Sequence, residues 1–143
     1  MTKGLRFGVV VSRFNTEITE ALLASCLRRL KHAKAAEPKV VHVPGGFEIP
    51  WAAHRLAASG QFDAVICLGC ILRGQTPQNG HISRSVFQHL HDISIATAVP
   101  CVVGVMTPNT WAQAVARTKG KLDRGVEAAE AGLAMAELRR TLK

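Results

Sequence analysis

The sequence predicts an α/β protein with a parallel sheet and helices on both of its faces. Four short apolar runs, typical of strands buried on both faces, alternate with segments whose apolar residues recur at helical spacing. Strands that alternate with helices are joined by crossover connections, and these connections produce parallel sheets. A chain of 143 residues is long enough for one substantial core, so we expect residues 1–143 to form a single domain.

The first half of the chain predicts two strands and two helices. Their order is a strand at Leu5–Ser12, a helix at Ile18–Leu30, a strand at Val40–Val43 and a helix from Pro50 to about Ala58. Asn15 or Thr16 is suited to cap the first helix with its side-chain oxygen. Pro50 favours a helical first turn, and Ser59-Gly60 ends the second helix.

The second half repeats the alternation and closes with two helices. Its order is a strand at Phe62–Gly69, a helix from about Gly80 to Thr97, a strand at Pro100–Thr107, a short helix from Pro108 to Arg117 and a final helix at Val126–Leu142. The final helix is rich in alanine and carries little bulk to cover a core. We therefore hypothesise that it packs against another chain.

Composition narrows the classes of partner. A net charge of +8 makes nucleic acid a candidate partner. The basic residues are dispersed, however, aromatic residues are only 5% and tyrosine is absent, so platforms for stacking bases are scarce. We expect an anionic small molecule and no nucleic acid. No apolar run reaches the roughly 18 residues of a membrane span, and the N-terminus is unlike a secretory signal, so we expect a cytoplasmic protein without a membrane partner.

The four cysteines predict buried thiols. Cys67 and Cys70 form a C-x-x-C, a spacing used for metal or redox chemistry. They stand at a strand end, where successive side chains alternate faces, and no second cysteine or histidine pair has zinc-ligand spacing. We therefore expect no metal site.

Four loops follow the carboxyl ends of the predicted strands. These are Arg13–Asn15, Gly45–Glu48, Cys70–Asn79 and Thr107–Asn109. In open α/β sheets such loops lie side by side and form the ligand crevice. Two of them carry a phenylalanine, and Gly74–Thr76 precedes a helix, where backbone N–H groups attract an anion, although the sequence of a P-loop is absent. The loops predict a pocket with an aromatic face and an anion-binding end.

These loops carry a resemblance to the 6,7-dimethyl-8-ribityllumazine synthase (lumazine synthase) family. Arg13–Asn15 resembles the family's R-F-N, Pro44–Pro50 its P-G-A-F-E-[IL]-P, and Leu68–Thr76 its L-G-x-[VI]-I-R-G-x-T. Gln113–Arg117 resembles Q-A-I-E-R, and Gly125–Ala129 resembles the G-x-E-A-A that opens the last helix. The match runs from about residue 5 to residue 142.

The resemblance implies a three-layer, flavodoxin-like fold with a four-stranded parallel sheet. It also implies a step of riboflavin biosynthesis, in which 5-amino-6-ribitylaminouracil condenses with 3,4-dihydroxy-2-butanone 4-phosphate to 6,7-dimethyl-8-ribityllumazine. An amine attacks a ketone, phosphate leaves, and the ring closes with loss of water, without a cofactor. The family forms homopentamers, and in some members larger assemblies such as decamers or 60-mers, with each active site between neighbouring subunits.

The family's functional residues carry over to matching positions of this chain. Phe14 is expected to stack on the pyrimidine ring, Gly46, Phe47 and Glu48 are expected to line the ribityl chain, and Asn15 is expected among the substrate-binding residues. Backbone groups of Cys70, Ile71 and Leu72 are expected at the heterocycle. Gln75 and Thr76 are expected to bind the phosphate, together with Arg117 from the neighbouring subunit, whose guanidinium can hold a phosphate in bidentate fashion.

This chain departs from the family at the proton-transfer residue. The family loop reads G-x-T-x-H, and Gln78 stands in the position of the histidine. Glutamine forms hydrogen bonds but does not exchange a proton near neutral pH. His81 follows three residues later and is a candidate substitute, because residues at that spacing share one face of a helix. The other interpretation of His81 is a surface histidine.

Two further departures concern the side that faces the neighbouring subunit. Val103 replaces the phenylalanine that usually closes over the ring. The loop Thr118–Arg124 is one residue shorter than the family's, and Lys119, Lys121 and Arg124 keep its basic character without a clear correspondence to the family lysine.

Three functions remain open from the sequence. The first is a working lumazine synthase, slowed by Gln78. The second is a paralogue that retained the assembly and binds a lumazine or flavin without turnover. The third is an enzyme of the same fold that condenses a related amine with a phosphorylated ketone.

Overall fold

The computed structural model describes residues 3–73 and 76–142. Its four strands form one parallel sheet in the order β2-β1-β3-β4. The strands are β1 Phe7–Ser12, β2 Lys39–Val43, β3 Ala64–Cys70 and β4 Cys101–Met106. The helices are α1 Thr16–His32, α2 Ile49–Ala58, α3 Pro77–Thr97, α4 Trp111–Ala116 and α5 Arg124–Thr141. Short 3₁₀ turns at Gly46–Glu48 and Gly120–Leu122 precede α2 and α5.

Helices cover both faces of the sheet, as the alternation predicts. The core on one face joins the sheet to α1 and α5, with Ala114 of α4 at its margin. The core on the other face joins the sheet to α2 and α3. Strands β1 and β3 are buried along their whole length, which explains why their sequences read as continuous apolar runs. The predicted α/β class, with one four-stranded parallel sheet of flavodoxin-like architecture, is confirmed.

Helix starts differ from the predicted ones by one to three residues, and the reason is clear at α3, α4 and α5. Helix α3 begins at Pro77, about three residues before the predicted start, because Thr76 is extended and proline is pre-organised for the first helical turn. Helix α4 begins at Trp111, since Thr110 and Gln113 form a capping box. Helix α5 begins at Arg124, where Asp123 accepts the N–H groups of two following residues.

The N-cap of α1 works differently from the predicted one. Asn15 occupies the cap position but its side chain makes no capping hydrogen bond. Its backbone is left-handed, with φ of 62°. The side-chain amide instead crosses to β3 and donates to the carbonyl of Cys70 at 2.8 Å. The predicted capping role of Asn15 is therefore wrong, and the side chain joins the ends of two strands.

The small residues of α5 bring it close to its own sheet and to α1. A Cβ on Gly132 would lie 2.8 Å from Cδ1 of Ile66 in β3, and one on Gly125 would collide with the carbonyl of Leu22 in α1. Alanine and glycine therefore serve close packing within the chain. The outer side of α5 keeps Met135 and Leu138 exposed, so the hypothesis of packing against another chain concerns that side only.

A buried carboxylate ties the start of the chain to its end. Asp63, which precedes β3, accepts the N–H of Arg6 at 2.7 Å and a bidentate bond from Arg140 near the end of α5. Arg139 lies 3.8 Å from the same carboxylate. Burial alone would raise the pKa of Asp63, but the bonds and positive charges of Arg140 and Arg6 prevail and lower it.

None of the helices within residues 3–73 and 76–142 combines the length and apolar character needed to cross a bilayer.

Candidate active site

A cleft of about 380 Å³ lies at the carboxyl edge of the sheet. Three of the four predicted loops line it, namely those that follow β1, β2 and β3. The loop that follows β4 does not, because β4 is the outermost strand on the far side of β3. The residues around the cleft are Phe14, Asn15, Gly45, Gly46, Phe47, Glu48, Cys70, Ile71, Leu72, Thr76, Gln78, Asn79 and Ile82.

Two phenylalanine side chains stand exposed at this cleft. Phe14 is 67% exposed and Phe47 is 63% exposed. Core packing does not account for such exposure, since an aromatic ring contributes most when it is buried. The backbone beneath them is well tied, because the N–H of Phe14 donates to the carbonyl of Pro44 at 3.1 Å. The cleft therefore presents two rings on firmly attached loops, which suits a flat heterocycle.

The floor of the cleft is the continuation of β3. The N–H of Ile71 donates to Met106, and that of Arg73 donates to Pro108, each at 2.9 Å. Gly46 lies directly above this floor, since a Cβ there would be 3.1 Å from the side chain of Ile71. A larger residue in place of Gly46 would narrow the gap between floor and wall.

A carboxylate and a helix start define the two ends of the cleft. Glu48 is half-buried, and its Oε1 lies beside Gly45. A Cβ added to Gly45 would be 3.2 Å from this oxygen. At the other end Thr76 and Gln78 are exposed at the start of α3. The N-terminus of this 21-residue helix favours negative charge. Gly74 and Gln75, which complete the predicted anion loop, lie outside the described residues.

Three predicted residues lie away from the cleft. His81 is exposed on α3, and its Nδ1 is 3.0 Å from the guanidinium of Arg84. Val103 is 45% exposed on β4. Arg117 follows α4 and is half-buried. Val103 and Arg117 are the residues that the resemblance assigns to a neighbour's site.

The basic loop before α5 also lies outside the cleft. Lys119 and Lys121 are exposed, and Arg124 is half-buried at the first position of α5. The carbonyl of Arg117 accepts the N–H of Arg124 at 2.9 Å. The two ends of this loop are therefore held together, which groups its cations with Arg117.

Sequence reasoning missed three residues of the cleft. The sequence points to Gly45 only as part of its loop, and no motif marks Asn79 or Ile82. Asn79 belongs to the first turn of α3, which begins before the predicted start. Pro77 was the available signal, since proline is common at the first helical position.

The thiols of the C-x-x-C lie on opposite faces of the sheet. Cys67 belongs to the core beside α2 and α3, whereas Cys70 belongs to the core beside α1 and α5. Burial raises the pKa of Cys70 to about 11, so this thiol is protonated and weakly nucleophilic at neutral pH. Among the described residues no group of three or more metal-ligating side chains comes together.

A larger concavity lies elsewhere on the molecule. It has a volume of about 720 Å³ and is bounded by the end of α3, β4 and the end of α5. Its lining is mainly apolar and includes Ile95, Met135 and Leu138. It contains none of the predicted site residues, and it borders the edge strand of the sheet.

The fold and the cleft define a class of protein: a flavodoxin-like α/β protein with an aromatic-lined cleft at the carboxyl edge of its sheet. The sequence profile of the 6,7-dimethyl-8-ribityllumazine synthase family matches residues 4–140. A protein of Salinibacter ruber (strain DSM 13855 / M31) named 6,7-dimethyl-8-ribityllumazine synthase is 44% identical over 138 residues, which cover 94% of this chain and 88% of the relative. The chain belongs to the 6,7-dimethyl-8-ribityllumazine synthase family.

Proposed function

We propose that this protein acts in riboflavin biosynthesis as a 6,7-dimethyl-8-ribityllumazine synthase, a transferase that works at the cleft described above. The observation that carries the proposal is the meeting of exposed aromatic rings, a carboxylate and a helix start in one cleft of a chain from this family. Neither the scaffold nor the related condensing enzyme is favoured by the family match or by the name of the Salinibacter relative.

The cleft's residues divide between the two substrates. Phe14 and Phe47 offer ring faces to the aminouracil, with Asn15 at the same wall. Glu48 lies in the loop of Gly46 and Phe47 and accepts hydrogen bonds from ribityl hydroxyls. Backbone groups of Cys70, Ile71 and Leu72 form the floor beneath the heterocycle.

Phosphate binds at the start of α3. Thr76 supplies a hydroxyl and a backbone N–H there, Gln75 belongs to the same proposed set, and the helix N-terminus attracts the dianion. Arg117 of a neighbouring subunit completes the phosphate site with its guanidinium. The cations of the loop after Arg117 add positive charge beside it.

Gln78 changes how the proton is handled. In the condensation the amine loses a proton as it attacks the ketone, and water leaves as the ring closes. Gln78 can orient a water molecule or the ketone oxygen by hydrogen bonding, but proton exchange then falls to water or to the substrate's phosphate, because His81 lies away from the cleft. General acid–base help is typically worth about 10² to 10⁴ in rate, whereas positioning of two substrates is worth up to roughly 7–11 kcal/mol. A slower enzyme is the result.

The active assembly is a homopentamer. Two features support it: Val103 and Arg117 lie outside the cleft of their own chain, and β4 is an edge strand beside an apolar concavity. Unpaired strand edges and contiguous apolar surfaces are where chains associate. Association of pentamers into a decamer or 60-mer is compatible with this arrangement. Residues 1–143 act as one domain in each subunit, in the cytoplasm, with small molecules as the other partners.

The test is an assay of the purified protein with both substrates. We expect 6,7-dimethyl-8-ribityllumazine to form well above the spontaneous rate, followed by its absorbance. A rate equal to the spontaneous one, together with tight binding of a lumazine or flavin, would instead establish the scaffold. Product formation only with another amine would establish the related condensing enzyme.

The phosphate assignment is tested by Arg117→Ala. We expect a higher KM for the phosphorylated ketone and little change in KM for the aminouracil, because only one substrate carries the phosphate. Arg29→Ala is the matched control, since Arg29 lies on α1 and pairs with Glu130 at 3.4 Å. Wild-type kinetics in the Arg117 variant would remove this residue from the site.

A further inference from the structure

The extension of β3 beyond β1 leaves one of its edges without a partner strand. The last registered pair of these two strands is Val11 with Leu68, yet β3 continues to Cys70 and onward along the floor of the cleft. Alternate residues of an extended chain direct their backbone groups to opposite edges. Ile71 and Arg73 use their N–H groups toward the β4 side, so the carbonyls of Cys70 and Leu72 are directed to the side where β1 has ended.

Two asparagine amides occupy that open edge. Nδ2 of Asn15 donates to the carbonyl of Cys70 at 2.8 Å, and Nδ2 of Asn79 donates to the carbonyl of Leu72 at 2.7 Å. Both bonds are partly buried, and both asparagines line the cleft. The amides therefore stand in for the strand that is missing and satisfy the two carbonyls that it would have paired.

The two asparagines come from opposite walls of the cleft. Asn15 follows Phe14, and its left-handed backbone at φ 62° aims the side chain across the sheet. A non-glycine residue in that region is uncommon and is retained when the surrounding structure requires it. Its carbonyl also accepts the N–H groups of Ile18 and Thr19 at 3.0 and 3.1 Å. The same residue thus fixes the start of α1, the loop of Phe14 and the cleft floor.

Asn79 plays the corresponding part on the other wall. It lies in the first turn of α3, and its N–H donates to the carbonyl of Thr76 at 3.2 Å. Its side chain reaches back to Leu72, seven residues earlier. This bond fixes the distance between the floor and the start of α3, where Thr76 and Gln78 lie.

We propose that Asn15 and Asn79 are a pair of positioning residues, which clamp the aromatic wall and the α3 wall to the β3 exit at Cys70 and Leu72. Each of these two carbonyls already accepts an amide proton and is no longer a free acceptor. This edge of the floor therefore offers a ligand mainly hydrogen-bond donors, which suit the carbonyl oxygens of a pyrimidinedione. The inference rests on the proposed function, since it assigns Asn15 to the aminouracil side and Asn79 to the phosphate side of that reaction.

Two substitutions that add no charge each remove one of the two side-chain hydrogen bonds. Asn15→Gly removes the amide and keeps a residue that adopts positive φ without strain. Asn79→Ala removes the other amide and places a good helix former in α3. Asn109→Ala is the control, because Asn109 does not line the cleft and uses its backbone N–H, which alanine retains, to donate to Gln113.

The readout is the change in KM for each substrate, measured with kcat. We expect Asn15→Gly to raise KM mainly for the aminouracil and Asn79→Ala to raise KM mainly for the phosphorylated ketone. In each case kcat/KM should fall by about tenfold to a hundredfold, the loss that an ångström-scale misplacement produces. Loss of stability alone would reduce the amount of active enzyme and leave both KM values unchanged. The Asn109 control should stay within about twofold of wild type.

The outcomes separate the clamp from the proposed function. If the wild-type protein forms lumazine and both variants match the control, the clamp is overturned while the function stands. If the wild-type protein forms none, the function is overturned, and the clamp is judged by calorimetric titration with the aminouracil and with the ketone phosphate. In that titration, weaker binding of the aminouracil by Asn15→Gly and of the ketone phosphate by Asn79→Ala supports the clamp. Affinities equal to those of the Asn109 control overturn it.

Discussion

At the scale of single residues, Gln78 has the position that the resemblance expects of the proton-transfer residue, but its side chain does not exchange a proton near neutral pH. The side chain lies at the cleft and at the start of α3, where we propose that the substrate phosphate binds. Its amide can orient a partner but has no titration near neutral pH. The resemblance expects a histidine at this position, so the substitution Gln78→His tests the proposed proton-transfer step.

We expect Gln78→His to increase kcat by at least about tenfold, because positioned acid–base groups contribute about 10² to 10⁴. The gain should grow as the pH rises through about 6.5, the ordinary imidazole pKa, since the neutral ring accepts the amine proton. The measurement is a pH–rate profile of wild type, Gln78→His and Gln78→Asn. The asparagine variant is the control and should show no such rise; an equal gain in both variants would contradict proton transfer at this position.

A second residue-scale prediction concerns the buried carboxylate of Asp63. Asp63→Asn should lower the free energy of unfolding by about 1–3 kcal/mol, because Arg140 then loses its charged acceptor. The pKa of Asp63 lies below its ordinary 3.8 in the folded protein. Its contribution is thus complete above that value and is lost as the pH falls through the lower, folded one.

Urea denaturation between about pH 6 and pH 2 measures that contribution. The difference between wild type and Asp63→Asn should be constant near neutral pH and should shrink in acid. Asp92→Asn, on the exposed face of α3, serves as the control and should change stability by no more than about 0.5 kcal/mol. A difference that grows in acid would show that the carboxylate is not stabilised by its arginines.

At the scale of elements, the strands were easier to predict than the helix ends. A strand buried on both faces has to be apolar throughout, so β1 and β3 are visible in the sequence. Helix ends depend on contacts made elsewhere. Thr76 stands at the N-cap of α3 without a side-chain capping bond, and the side chain of Asn15 bonds to a carbonyl 55 residues away instead of capping α1.

The same distinction holds within the site. Phe14, Phe47 and Glu48 lie on loops that the crevice rule brings together, and they could be predicted from sequence. The roles of Asn15 and Asn79 could not, because a side-chain amide that substitutes for a missing strand leaves no periodic pattern.

Close packing of α5 gives a test at this scale. Gly125→Ala should destabilise the protein by about 1–3 kcal/mol, because its Cβ would collide with the Leu22 carbonyl of α1 and a rigid backbone cannot yield as a side chain does. Gly80→Ala is the matched control, since α3 leaves space at that position and alanine should stabilise the helix by about 0.5–1 kcal/mol. The measurement is the midpoint of thermal unfolding. Equal midpoints for the two variants would contradict the close approach of α1 and α5.

At the scale of the whole molecule, one chain presents two unlike surfaces. The cleft gathers the loops that we propose bind the substrates, whereas Val103 and Arg117 lie outside it. The edge of β4 borders the larger apolar concavity, where Ile95 is 70% exposed. Contiguous apolar surface of this kind is rare on monomers and marks association. These two surfaces support the proposal that the loops of one subunit meet the far side of another.

Light scattering tests this proposal directly. The wild-type protein should elute with a mass of about 77 kDa, five times the 15.4 kDa of one chain, or as a multiple of that mass. Ile95→Asp should reduce the mass, because a charge in the concavity opposes its burial. It should also reduce activity, since the loss of the neighbour removes Arg117 from the site. Ala24→Asp, on the exposed side of α1, adds the same charge elsewhere and should leave both mass and activity unchanged. A wild-type protein that is monomeric and fully active would show that each subunit completes its own site.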